Sequence, residues 1–112
     1  MNKIIKYVIF GILVLVLSLF LIKILSPAYF SYKLDCNPEF YEENIEFVGG
    51  YTDTETGEIM ICVNESSKEY KRTLLHENCH LNQLKENRSY SCENPIGVFI
   101  NEAECYIKEF FP

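Results

Sequence analysis

The chain has 112 residues and a formal net charge of −6, so it is long enough for one small domain only. All sixteen acidic residues lie between Asp35 and Glu109, and only seven basic residues lie from Lys33 onward. This region therefore carries a net charge of −9. That charge argues against a nucleic-acid partner, because phosphate binding needs a basic surface.

The first predicted element is a membrane-spanning helix. No charged residue interrupts residues 7–22, and a lysine stands on each side of this run. Counted as residues 4–25, the segment holds 22 residues, or about 33 Å of helix, enough to cross a hydrocarbon core of about 30 Å. Residues 1–25 are therefore predicted to be an uncleaved transmembrane anchor. The alternative is a signal peptide cleaved near the small residues at positions 26–28, which would release a secreted protein.

The cysteines and the charges around the apolar segment place the rest of the chain outside the cytoplasm. Five cysteines in so short a domain are typical of an oxidising compartment. Lys3 and Lys6 precede the apolar segment and favour a cytoplasmic N terminus, although Lys23 and Lys33 weaken that bias. We therefore expect a single-pass membrane protein whose domain is extracytoplasmic.

The region after the anchor is predicted to form an irregular connector and then a β-hairpin. Residues 26–44 contain two prolines and show no clear period, so they are predicted to be a juxtamembrane connector. Residues 45–112 would form the domain. Two β-prone runs, residues 44–51 and 57–64, flank a polar turn and predict a hairpin at its start.

Two helices are predicted to complete an α+β domain. Ser66 and Glu69 form a capping box that begins a helix of about five turns. Asn94 followed by Pro95 is typical of an N-cap and the first residue of a second helix. A domain this small buries only a modest core, so a metal ion or a disulfide is expected to stabilise it.

The first helix carries the pattern His-Glu-x-x-His. Residues four apart lie on one face of a helix, so His76 and His80 can bind one ion through two imidazoles. Glu77 lies about 100° round the helix, where it can act as the general base toward a water at the metal. Zn²⁺ suits such a site because it lowers the pKa of water toward about 7. The alternative is a surface helix with two solvated histidines, since a catalytic zinc site needs a third protein ligand.

Two short motifs resemble the zincin metallopeptidases. Residues 76–80, HENCH, match the first zincin motif, and Asn101-Glu102 resembles the Asn-Glu pair of thermolysin-like enzymes. Glu102 follows the second histidine by 22 residues. Residues 101–106, NEAECY, also resemble the E-x-E-A-D or E-x-E-A-N stretch of membrane zinc endopeptidases. The similarity is greatest to the gluzincins, whose third ligand is a glutamate on a following helix, and it covers residues 66–111 at most.

The resemblance implies a ligand set and a reaction. His76, His80 and Glu102 would bind Zn²⁺, and Glu77 would activate water for the hydrolysis of a peptide bond. Glu104 is the competing candidate for the third ligand. A domain of this size is expected to need a second copy or a partner protein to complete its substrate cleft.

The chain departs from the family pattern beside the third ligand. Tyr106 replaces the aspartate or asparagine that steadies a ligand imidazole, so that support must come from another residue. Tyr106 and Tyr90 are the candidate oxyanion stabilisers. In zincins a strand before the catalytic helix runs along the cleft and pairs with the substrate, and residues 58–63 are in the corresponding place.

The cysteines are candidate disulfide partners. Cys79 lies beside the metal-binding face rather than on it, and Cys105 stands where the related enzymes have alanine. Helices that share a metal must approach closely, so Cys79 and Cys105 form one candidate pair. Cys36 with either Cys62 or Cys92 is a second one, and an odd number leaves at least one cysteine unpaired within the chain.

The sequence therefore favours a membrane-anchored zinc metallopeptidase with a small zincin-like domain. The alternative is a membrane-tethered binding module without catalysis, stabilised by a structural zinc or by disulfides alone. Zinc content and the effect of Glu77→Gln separate these functions.

Overall fold

The structure is a computed structural model that describes residues 2–53 and 55–111, so Thr54 in the predicted hairpin turn and the two terminal residues lie outside it. Four α-helices, one short 3₁₀ helix and a two-stranded sheet make up the described chain, which is compatible with the predicted α+β class. In chain order the elements are α1 (Lys3–Cys36), α2 (Pro38–Glu43), the 3₁₀ helix (Ile45–Phe47), β1 (Gly50–Thr52), β2 (Ile59–Ile61), α3 (Lys68–Lys85) and α4 (Pro95–Phe110).

Helix α1 is longer than the predicted anchor. It is long and apolar enough to cross a membrane, and a signal sequence near an N terminus has the same length and composition. The prediction of an irregular connector at residues 26–44 is wrong, because α1 continues through Pro27 and α2 follows. Pro27 removes one backbone hydrogen bond, but Ile24 and Ala28 on either side of it are buried, and this packing keeps the helix intact.

Helix α4 runs antiparallel to α1 and packs along it. The Ser31 hydroxyl lies 2.6 Å from the Tyr106 hydroxyl. Directly after α4, Phe111 lies beside Phe20, with ring centroids 6.2 Å apart. The order of these contacts shows that the C-terminal end of α4 reaches the apolar part of α1.

The hairpin is shorter than predicted and lies against α3. Strands β1 and β2 are antiparallel, with Tyr51 opposite Met60. Gly50 permits the close approach, because a Cβ atom there would lie 2.8 Å from the Met60 carbonyl oxygen and 2.9 Å from Cγ2 of Thr73 on α3. The strand is therefore held directly on the helix that carries both histidines.

The starts of α3 and α4 differ in how well the sequence predicts them. Helix α3 begins one residue later than expected, with Ser67 as an N-cap that makes no side-chain cap bond. The capping box is wrong because the Ser66 and Ser67 hydroxyls instead donate to Asn64. The start of α4 is confirmed, since the Asn94 side chain caps the first turn and Pro95 is its first residue.

Two disulfides stabilise the domain. The expected bond between Cys79 and Cys105 is present and joins α3 to α4. Of the two partners considered for Cys36, the structure has Cys92, and this bond ties the end of α1 to the loop before α4. Cys62 is free and exposed.

Candidate metal centre

Helices α3 and α4 meet through an interface that is mostly polar. Its buried polar side chains are His76, Glu77, Gln83, Asn101 and Glu102. Its buried apolar residues are Cys79, Val98 and Cys105. Burial of polar groups is unfavourable unless they have partners, so the stability of this interface depends on how these groups satisfy one another.

Three side chains converge at the centre of the interface and form a group that could hold a metal ion. The Nε2 atoms of His76 and His80 lie 3.1 Å apart. The Glu102 carboxylate reaches both rings, with Oε2 2.9 Å from Nε2 of His76 and Oε1 3.1 Å from Nε2 of His80. Both imidazoles therefore present the same nitrogen to one carboxylate, as ligands of a single ion do.

Gln83, which the sequence analysis did not single out, fixes the orientation of His80. Its side chain is 1% exposed, and its amide nitrogen donates to the Asn101 carbonyl and to Glu104. The amide oxygen must then face His80, where it lies 3.0 Å from Nδ1. An oxygen can only accept, so Nδ1 carries a proton, and Nε2 is the nitrogen that can bind an ion once it has lost its own proton. Gln83 lies one turn after His80 on the same face, and this i, i+3 spacing was the signal in the sequence.

Glu109 supports the other imidazole. Its Oε1 lies 2.9 Å from Nδ1 of His76, although the ring N–H does not point straight at the oxygen. Glu109 lies two turns after Glu102 on the same face of α4, so it provides the support that Tyr106 does not supply. This i, i+7 spacing is the signal that could have identified it.

The charges of the site favour a cation. Burial alone would lower the pKa of His76, but the carboxylates of Glu102 and Glu109 outweigh it and raise that pKa to about 10. Burial alone would likewise raise the pKa of Glu102, but hydrogen bonds from the two imidazoles hold it well below its usual range. The acidic groups therefore stabilise positive charge where the Nε2 atoms meet, and this donor set fits a divalent metal ion.

Glu77 lies beside the three converging side chains and is held by the hairpin. It is buried, and its Oε2 accepts a hydrogen bond of 2.7 Å from the hydroxyl of Thr52, the last residue of β1. The same hydroxyl lies 3.1 Å from the Glu77 carbonyl oxygen. Strand β1 thus positions the carboxylate that the motif assigns as the general base.

An open cavity of about 420 Å³ gives access to this group. Its walls include Glu77, both histidines and Glu102, and helix α1 supplies a further wall through Ser31 and Asp35. Asp35 keeps exposed surface at the end of α1. Desolvation by nearby atoms, a hydrogen bond to Glu102 and the charges of Glu102 and Glu77 raise its pKa to about 9. Asp35 is the second acidic residue of the site that the sequence analysis missed, because its proximity depends on the packing of α1.

The strand along the cavity is β1, not the one expected. Residues 49–52 line the cavity, whereas no residue of 58–63 does. The assignment of residues 58–63 to the cleft is therefore wrong. The sequence favoured the wrong strand because β2 is the more apolar of the two and precedes α3 directly, whereas the close contact of Gly50 with α3 places β1 there.

The remaining candidates have different surroundings. Glu104 does not join the histidines, because it forms an ion pair with Arg88 at 2.9 Å and accepts from Gln83. Tyr106 lines the cavity and packs edge-on against His76, with ring centroids 4.3 Å apart. Tyr90 also lines the cavity, and its ring occupies the space that a side chain at Gly97 would need.

No protein-family model, curated protein or solved structure matches this chain. The resemblance to zincins is therefore carried by its two short motifs.

Proposed function

We propose that the protein is a membrane-anchored zinc metallopeptidase in which His76, His80 and Glu102 hold Zn²⁺ and Glu77 activates water. The observation that carries this proposal is the convergence of two imidazole nitrogens and one carboxylate beside Glu77, all on the wall of one open cavity. Three protein ligands with an accessible face are typical of catalytic rather than structural zinc sites.

The spacing of the donor atoms supports zinc. Ligand bonds of about 2.0–2.1 Å at tetrahedral angles place neighbouring ligand atoms about 3.3 Å apart. The two Nε2 atoms lie 3.1 Å apart, and each lies close to a different oxygen of the Glu102 carboxylate, at 2.9 and 3.1 Å, so one ligand atom from each residue lies within 4.8 Å of the others. Two imidazoles with one carboxylate are also a donor set that zinc binds well.

Zinc would supply a Lewis acid that polarises the substrate carbonyl and acidifies water. The chain's own groups move the protons. Glu77 takes a proton from the attacking water and passes it to the leaving amine. Thr52 holds one Glu77 oxygen, Oε2, and among the described residues the other oxygen has no protein donor. The carboxylate is therefore oriented yet still able to accept a proton.

The cavity walls suggest how a peptide would bind. An extended substrate can pair with the edge of β1, which lines the cavity through residues 49–52. Tyr106 is the better placed of the two tyrosines for the oxyanion, because its ring packs against the ligand candidate His76, whereas the Tyr90 ring packs against Gly97. If Ser31 donates to the Tyr106 oxygen, the phenol proton is free for the substrate.

Zinc content and hydrolysis, measured together on the full chain in detergent, test this proposal. Wild-type protein should hold one zinc and cleave peptides. Glu77→Gln should retain the zinc and lose activity by at least about 100-fold, as removal of a general base does. Glu69→Gln, an exposed change on the same helix, is the matched control and should leave both unchanged. A wild-type protein without zinc at micromolar free metal would refute the assignment.

One observation favours a second function, that of a binding module with a structural zinc. The buried residues between α3 and α4 are largely the site itself, so the metal could serve mainly to hold the fold together. In that case Glu77→Gln would leave the protein's function intact, and no peptide would be hydrolysed.

A further inference from the structure

We propose that the substrates are peptide segments next to a membrane, such as the first extracytoplasmic residues that follow a transmembrane helix in another protein. This inference rests on the proposed peptidase function and adds the class of substrate. It follows from where the cavity lies along α1.

The helix that would cross the membrane is also a wall of the cavity. Helix α1 is continuous from Lys3 to Cys36, and Ser31 and Asp35 on its last turns line the cavity. Ser31 is six residues beyond Leu25, the end of the apolar segment, and Asp35 is ten residues beyond it. At 1.5 Å per residue, these two lining residues lie about 9 Å and about 15 Å from the hydrocarbon boundary.

Contacts between α1 and α4 fix this height. Phe111 packs on Phe20 inside the apolar segment, and the Lys23 ammonium lies 5.2 Å from the centre of the Phe110 ring. At the other end of the contact, the Cys36–Cys92 disulfide closes the interface. The domain is therefore attached to α1 at both ends of the contact and cannot swing away from the membrane on a flexible connector.

The part of the domain nearest the apolar segment of α1 exposes aromatic side chains. Phe111 is 65% exposed although it lies beside Phe20 of the apolar segment, and Tyr29 on α1 is 51% exposed. Exposed aromatic side chains at this level are typical of the membrane interface. Both features place the lower rim of the cavity close to the lipid headgroups.

The height of the cavity above the membrane predicts where along a substrate the cut would fall. An extended chain advances about 3.3 Å per residue, so a peptide leaving the hydrocarbon boundary reaches the cavity after about three to five residues. Confinement of enzyme and substrate to one membrane also raises their effective concentration. A soluble peptide gains neither advantage.

Cut-site mapping in vesicles tests the inference. The full chain is reconstituted with a single-pass model helix that carries a mixed-sequence tail of about 20 residues, and the products are identified by mass spectrometry. We expect cuts to cluster about three to five residues beyond the helix whatever the local sequence. The same tail without the helix should be cleaved at least about 10-fold more slowly at equal concentration.

A rigid spacer provides the control for simple membrane confinement. A helical spacer of about 14 residues raises the tail by about 21 Å but keeps it in the membrane, so it should reduce cleavage by at least about 10-fold. Cuts spread evenly along the tail, or equal rates with and without the spacer, would overturn the inference while the peptidase function stands. Failure to cleave either the tethered or the soluble tail would refute the peptidase function, and the inference with it.

Discussion

The two surfaces of α4 make a useful comparison. The surface that faces α3 carries buried polar groups, among them Asn101 and Glu102, and has few buried apolar residues. The surface that faces α1 packs against a segment with buried Ile24 and Ala28, and aromatic contacts continue toward the N-terminal apolar part of α1. The α3–α4 interface holds the candidate metal-binding groups, and the α1–α4 interface sets their position relative to helix α1. Disruption of the α1–α4 interface should therefore leave metal binding largely intact, and disruption of the metal site should leave the α1–α4 contact largely intact.

Metal removal should have the largest effect. Without an ion, the acidic groups between α3 and α4 are balanced only by imidazoles, and an ion present at 1,000 times its Kd stabilises a fold by about 4 kcal/mol. We expect chelation to abolish hydrolysis and to speed hydrogen exchange throughout α3 and α4, as measured by mass spectrometry in lipid nanodiscs. Residues 4–22 of α1 should exchange at an unchanged rate. Equal protection of α3 and α4 with and without chelator would contradict a metal between them.

The two disulfides should separate stability from metal binding. The cysteines of each pair stand 26 and 56 residues apart, so loss of either bond should destabilise the fold by about 3–4 kcal/mol. Only Cys79→Ser with Cys105→Ser should also weaken zinc affinity, because that bond lies beside His80. The matched control is Cys36→Ser with Cys92→Ser. Equal losses of zinc affinity in both double variants would show that the interfaces are not independent.

The sequence predicted the parts of the site that depend on local spacing. His76, Glu77 and His80 share one helical turn, so any α3 that forms brings them together. The Cys79–Cys105 pair followed once the two helices were expected to approach. The extension of α1 through Pro27 was not predictable in this way, because local propensity favours a break there and the packing of α4 overrides it.

The polar residues buried on α3, such as Gln83, could not be identified from the hydrophobic pattern of the sequence. Tyr70, Leu74, Leu81 and Leu84 form an apolar stripe on α3, but all four are only half-buried. The fully buried face of α3 instead carries polar side chains, because their partners on α4 satisfy them. Hydrophobic periodicity cannot detect such a face.

Loss of Gln83 should weaken the polar interface specifically. Gln83→Ala removes the acceptor that holds the proton on Nδ1 of His80, and loss of such a partner lowers metal affinity by about 10- to 100-fold. Asn82→Ala, an exposed neighbour on α3, is the matched control. Competition with a chromogenic chelator measures both affinities. Unchanged zinc affinity in Gln83→Ala would mean that His80 does not depend on this contact.

Zinc binding should depend on pH through His76. Its pKa is raised from an ordinary value of 6.5 to about 10, so its ion pairs stabilise the metal-free fold fully below pH 6.5 and are lost as the pH rises through about 10. Zinc must displace that proton, so apparent affinity should rise about tenfold per pH unit within this window. Glu109→Gln lowers the pKa of His76 and should end the rise at a lower pH. A flat affinity between pH 7 and 9 in the wild type would contradict the ion pairs.

X-ray absorption at the zinc edge tests the central claim most directly. We expect one zinc per chain with two imidazole nitrogens at about 2.0 Å, oxygen from a carboxylate and from solvent or substrate, and no sulfur. His80→Ala should lose one imidazole from this pattern. A sulfur shell at about 2.3 Å would show that a cysteine binds the metal and would contradict the site described here.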